Sequence, residues 1–82
     1  MYIVQSVLFD NSIWSVVDSA NWLLNHDYKV LKIDETNNFI RYRQISPVIL
    51  KRRGYTQFKN KKLGNGIELI IAYKTNKHFD TI

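Results

Sequence analysis

Residues 2–9 read Tyr-Ile-Val-Gln-Ser-Val-Leu-Phe, apolar on both alternating faces, with Gln5 and Ser6 as the interruptions. Strands covered on both sides carry this pattern, so it predicts a central strand. Asp10-Asn11-Ser12 follows with side chains that hydrogen-bond nearby backbone, which predicts a turn. Ser15 stands three residues before Asp18, a variant of the capping box, and Asp18 suits the positive end of a helix dipole. Val16, Ala20 and Leu23, with Val17 and Leu24, then recur at helical spacing and predict one apolar stripe of an amphipathic helix. Asn25-His26-Asp27 should end it, because Asn and Asp tolerate the left-handed turn of a helix end. Trp14 falls just before the cap, and Trp22 falls roughly opposite the stripe.

Tyr28 to Ile33 alternates and predicts a second strand, and the polar run 34–38 a turn. Phe39 to Ile45 predicts a third strand, so that 28–45 is a hairpin, and Ser46-Pro47 breaks it. Residues 48–54 fit a short helical turn or a loop. Tyr55 to Leu63 predicts a fourth strand, Gly64-Asn65-Gly66 a hairpin turn, and Ile67 to Lys74 a last strand. Residues 75–82 form a polar C-terminal tail. The expectation is a single α+β domain over 1–74: one helix packed on one face of a four- or five-stranded, mostly antiparallel sheet. A strand–helix–strand start implies a right-handed crossover. One helix cannot cover both sheet faces, so part of the other meets solvent or a partner.

Composition leaves this reading in place. Apolar residues are 45% of the chain and charged residues 23%, as in ordinary globular domains. Apolar runs such as Leu69 to Tyr73 are too short to span a bilayer. The first residues lack the basic leader and long apolar stretch of a signal peptide, so an intracellular, soluble protein is expected, without a membrane partner.

Charge adds a sharper feature. Between Arg41 and Lys62 lie eight cations and no acid: Arg41, Arg43, Lys51, Arg52, Arg53, Lys59, Lys61 and Lys62. The rest of the chain carries four lysines against seven acids. Such asymmetry bears on association rather than on fold. Ile, Asn and Lys together make 26 of the 82 residues, which AT-rich coding alone would favour. All four arginines nevertheless lie in the basic segment. On the third strand Phe39, Arg41, Arg43 and Ile45 share one face, and Ile40, Tyr42 and Gln44 the other. Tyr55 and Phe58 then interleave with the lysines. Sheet surfaces of this kind bind nucleic acid by stacking and phosphate contact.

Catalytic chemistry finds no support. Cysteine is absent, which excludes thiolate metal sites and a cysteine nucleophile. His26 falls at the helix end, where it helps the C-terminus as a partial cation, and His78 falls in the tail; neither has a metal-ligand partner set. Gly64-Asn65-Gly66 lacks the lysine and hydroxyl residue of a phosphate loop. No enzyme, cofactor or metal is expected. Trp22, off the stripe, is an interface candidate.

Several segments together resemble a small uncharacterised domain of large DNA viruses and tailed bacteriophages. They are Gln5-Ser6-Val7, Phe9-Asp10, Trp14, Trp22-Leu23, His26 and Tyr28-Lys29, followed by Lys32-Ile33-Asp34-Glu35-Thr36, Arg41-Tyr42-Arg43-Gln44 and Leu63-Gly64-Asn65-Gly66-Ile67. The chain departs from that pattern at Asp27, where glycine would end the helix. The resemblance implies a viral setting, with a role on the viral genome or in the virion, and transfers no catalytic residue. The leading expectation is a non-catalytic viral module that binds DNA or RNA through the eight cations and Tyr55. The alternative is a protein-interaction or virion structural module, acting through an open sheet face or edge, as a homo-oligomer or on a virion protein. Host cytoplasm, a viral factory or the virion is the expected location.

Overall fold

The apolar run at the start of the chain forms β1, Tyr2–Asp10, in the computed structural model, which describes residues 2–74. The expected tail at 75–82, with His78, lies outside the described residues. After β1 come α1 (Val16–Asn25), β2 (Ile33–Glu35), β3 (Phe39–Arg43), α2 (Pro47–Arg52), β4 (Tyr55–Gly64) and β5 (Ile67–Lys74). The strands form one sheet in the order β2-β3-β1-β5-β4, with every pairing antiparallel. The fold is α+β, a main helix and a short one on a five-stranded sheet, and β1 is central as its two apolar faces predict.

Register assigns the faces. Val7 lies between Tyr42 and Leu69, and Phe9 between Ile40 and Ile67. These residues, with Leu23 of α1 and Ile71 of β5, are the buried cluster. Phe9 is its hub: Trp14, Trp22 and Tyr42 meet its ring edge-on at 5.2, 5.6 and 5.7 Å between centroids. Edge-to-face contacts of this kind add to the burial of aromatic area.

α1 starts as its cap predicts, with Ser15 Oγ accepting from Asp18 N–H at 3.0 Å. Its inward face differs from the expected stripe. Ser19 and Leu23 are buried, while Val17 and Leu24 are 69% and 62% exposed. The helix is turned by roughly 100°, one residue's step. Trp22 is the cause: its ring packs on Phe9 and stacks on His26 at 3.8 Å and on Tyr28 at 6.0 Å. Aromatic area outweighs the more numerous aliphatic positions. The turn brings Ser19 inward, where its hydroxyl donates to Val16 O at 3.0 Å and pairs with Tyr42 OH at 2.7 Å. Trp22, the interface candidate, is therefore half-buried, with part of its ring packed on its own fold.

The helix ends in a Schellman motif: Tyr28 N–H reaches Leu23 O at 2.9 Å and Asp27 N–H reaches Leu24 O at 3.4 Å. Asp27 takes the left-handed conformation, φ +62°, that glycine would take without strain. His26 donates Nδ1–H to Trp22 O at 2.7 Å, satisfying a last-turn carbonyl.

The second strand is shorter than the expected 28–33. Tyr28 stacks on Trp22, and the Gln44 side chain binds both Lys29 N–H, at 2.8 Å, and Lys29 O, at 2.9 Å. A side-chain amide thus takes the place of a neighbouring strand, and pairing begins only at Ile33. Asp34 and Glu35, expected in a turn, pair with Arg41 and Ile40 instead. β3 stops at Arg43 because Gln44 N–H and Ile45 N–H turn to the Gln5 carbonyl, at 2.8 and 3.4 Å. Residues 47–52 are helical: Ser46 Oγ accepts from Val48 N–H, and Pro47 suits a first helical position. The β4–β5 turn is the hairpin predicted, with Asn65 and Gly66 both at positive φ.

Gln5 is the bulged residue between Val4 and Ser6 on β1, and it is 2% exposed. Its Nε2 donates to Ile45 O at 3.1 Å, and its Oε1 accepts from Ser6 Oγ at 2.7 Å. Through these bonds it fixes where the chain leaves β3 for α2. On the sheet face opposite α1, Ala72 and, from α2, Leu50 are fully buried outside the main cluster.

Replacing Gln5 with methionine keeps the volume and strands the Ile45 carbonyl and Ser6 hydroxyl; stability should fall by about 1–3 kcal/mol, read as a lower denaturant midpoint at unchanged slope. Asp27→Gly should do the reverse, raising the melting temperature by about 4–8 °C for about 1 kcal/mol of left-handed strain removed.

Candidate nucleic-acid interface

The eight cations do not converge on one surface; the fold divides them into three groups. Arg41 and Arg43 share the sheet face opposite α1, as their alternation predicts, beside Ser6 and Leu8. Both are half-buried. Arg41 turns into the sheet, where Nε donates to Ser6 Oγ at 3.3 Å and Nη2 to Gln5 Oε1 at 3.5 Å. Lys62, on the same face, stands opposite Glu68 in register.

Lys51, Arg52 and Arg53 form the second group, at the exposed end of α2. Lys51 and Arg52 occupy its last turn, where cations complement the helix dipole. Tyr55 follows at the start of β4, half-buried, with the Lys74 ammonium 5.0 Å from its ring centroid.

The third group is Lys59 and Lys61. Register with Ile71 and Leu69 puts them on the α1 side of the sheet, not with Lys62. α1 covers the end of that face that carries Phe9 and leaves the other end open. There Tyr2 and Tyr73 are cross-strand partners, so their rings stand side by side on β1 and β5. The Lys59 ammonium lies 5.8 Å from the Tyr73 ring centroid, and that of Lys61 lies 5.3 Å from the Tyr2 ring centroid. Lys61 Nζ also donates to Tyr2 OH at 3.4 Å. Together with Asn60 and Ile71 these four side chains line a cleft of about 550 Å³. Two aromatic faces and two ammonium groups opening on one concavity can hold a flat ring and an anionic neighbour at the same time.

Tyr2 and Tyr73 were not among the residues singled out from the sequence. Tyr73 was within reach, since it continues the Ile67, Leu69, Ile71 face of β5. Tyr2 was not, because only the pairing of β1 with β5 sets it beside Tyr73 and beneath a lysine of β4.

Among the described residues no group of three histidine, aspartate or glutamate side chains is placed to hold a metal ion, and no helix is long and apolar enough to cross a membrane. Asp10, at the end of β1, has its carboxyl held below the usual carboxylate range by hydrogen bonds from the Ser12 hydroxyl and the Ser12 N–H. That pair closes a turn, and Asp10 lines a shallow cavity of about 210 Å³ with Lys62 and Glu68. No protein-family model matches the sequence, and neither a curated protein nor a solved structure matches it.

Proposed function

We propose that this chain is a non-catalytic module that binds single-stranded nucleic acid, in keeping with the viral setting that the sequence resemblance implies. The observation that carries the reading is the cleft of Tyr2, Tyr73, Lys59 and Lys61. Bases exposed in a single strand can stack on the paired tyrosines, while the lysines neutralise flanking phosphates. A duplex keeps its bases stacked inside and offers that ledge nothing to bind. Lys51, Arg52 and Arg53, exposed at the end of α2, add a field that draws a polyanion in without contacting bases. Arg41 serves less as a contact, since its guanidinium already binds Ser6 and Gln5.

Fluorescence titration with single- and double-stranded DNA and RNA tests this. Single strands should bind more tightly, with a log–log salt slope of about −1.4 for two phosphates neutralised. Tyr2→Ala should weaken binding by about 1–3 kcal/mol, as should Tyr73→Ala. Lys59→Glu with Lys61→Glu should weaken it further than Arg52→Glu with Arg53→Glu. Absence of binding at about 50 mM salt, or indifference to both charge reversals, would sink the reading.

A second reading, a protein-interaction or virion structural module, is favoured by the outward side of α1, where Val17 and Leu24 are 69% and 62% exposed. A contiguous apolar patch there would suit contact with another protein. The exposed edge strand β4 is a weaker candidate for self-pairing, because Lys59, Lys61 and Lys62 stud it with like charge. Under this reading, sedimentation in moderate salt should show an oligomer that Val17→Glu with Leu24→Glu converts to monomer.

A further inference from the structure

The segment before β2 and the end of α2 enclose a cavity of about 400 Å³ beside the end of β3. Four cations line it: Lys29 and Lys32 from that segment, Arg43 from β3 and Arg53 from the C-cap of α2. None of its described lining residues is acidic, and Leu31 and Ile49 supply apolar walls. Lys29 and Lys32 lie outside the basic segment of the sequence, so a charge count along the chain does not group the four.

Three observations mark the cavity as built. Gln44 clamps Lys29 by both backbone groups, at 2.8 and 2.9 Å, which holds the lysine-bearing segment against β3. Lys32 has φ +52°, a left-handed conformation that L side chains rarely adopt and that collects at ligand sites. Arg43 Nε is buried without a hydrogen-bond partner. No water-sized atom reaches that Nε as it stands, so an anion oxygen pairs with it only after a small shift of the guanidinium. Four like charges around one space also repel each other, and an anion placed among them turns that repulsion into attraction.

We propose that this cavity is a phosphate-binding site, taking the terminal phosphomonoester of a free nucleotide or of a nucleic-acid strand. Arginine presents a planar fork that matches phosphate oxygens, and lysine an ammonium that follows them. The dianion neutralises half of the lining charge, and the Leu31 and Ile49 walls accept the less polar body attached to it. The site shares no lining residue with the Tyr2–Tyr73 cleft, so it stands whether or not that cleft binds single strands.

Thermal unfolding and calorimetry of the full chain test the site with inorganic phosphate, with adenosine monophosphate, and with one oligonucleotide in 5′-phosphorylated and 5′-hydroxyl forms. Chloride at matched ionic strength is the reference. Inorganic phosphate should raise the melting temperature above the chloride value. Lys32→Gln with Arg53→Gln, both at exposed positions, should weaken phosphate and adenosine monophosphate binding at least about tenfold, the factor that about 1.4 kcal/mol represents. The same variant should melt no lower than the parent in chloride, since it removes repulsion. Preference for the 5′-phosphorylated strand over adenosine monophosphate assigns the site to strand ends; the opposite preference assigns it to free nucleotides. No stabilisation by phosphate or by adenosine monophosphate, or equal stabilisation of parent and variant, overturns the proposal.

Discussion

The buried amide of Gln5 holds the two halves of this domain in place. It sits at a bulge in the central strand, where its side chain and its backbone both bind the chain leaving β3. Its carbonyl takes the N–H groups of Gln44 and Ile45, its Nε2 the Ile45 carbonyl, and its Oε1 the Ser6 hydroxyl and the Arg41 guanidinium. An apolar side chain here would leave the Ile45 carbonyl and the Ser6 hydroxyl without that partner, at a cost of about 1–3 kcal/mol. β3 ends where it does because of these bonds, and α2 starts from the point they define. Both the Lys51–Arg53 cluster and the Arg43 wall of the cavity beside the end of β3 take their position from that exit.

On the other side of the sheet the organising contact is the Phe9 ring. Trp14, Trp22 and Tyr42 converge on it from a loop, a helix and a neighbouring strand. This cluster sets the rotation of α1, and the rotation decides which residues remain outside. Val17 and Leu24 end up exposed because Trp22 and Ser19 have taken the inward positions. The cleft of Tyr2 and Tyr73 exists for a related reason. α1 is ten residues long and anchored at the Phe9 end, so the far end of the face is left uncovered.

What was legible in the sequence was what local pattern controls. The alternation on β3 put Ile40 and Tyr42 on one face and Arg41 and Arg43 on the other, and the register agrees. The Ser15 cap, the Gly64-Asn65-Gly66 turn and the central place of β1 follow from chemistry within a few residues. What local pattern misjudged was set by distant partners. Gln5 and Ser6 look like interruptions of a strand until the chain after β3 arrives to bind them. Residues 28–32 alternate like a strand, but Gln44 supplies a side-chain amide in place of a strand neighbour. The basic segment was visible as a count, yet the pleat of β4 sends Lys59 and Lys61 to one face and Lys62 to the other.

The order of the sheet has a consequence for how the chain is made. β1 is made before the other described strands, and it pairs along most of its length with β5, the last of them. Until β5 emerges, one side of an apolar strand has no backbone partner, and Val7 and Phe9 lack half their neighbours. Domains that close on such distant pairings fold slowly and are sticky before they finish. The lysine-rich β4, made just before β5 and joined to it by a two-residue turn, reaches the sheet only through β5, so its positive charge lies on the edge of the finished sheet.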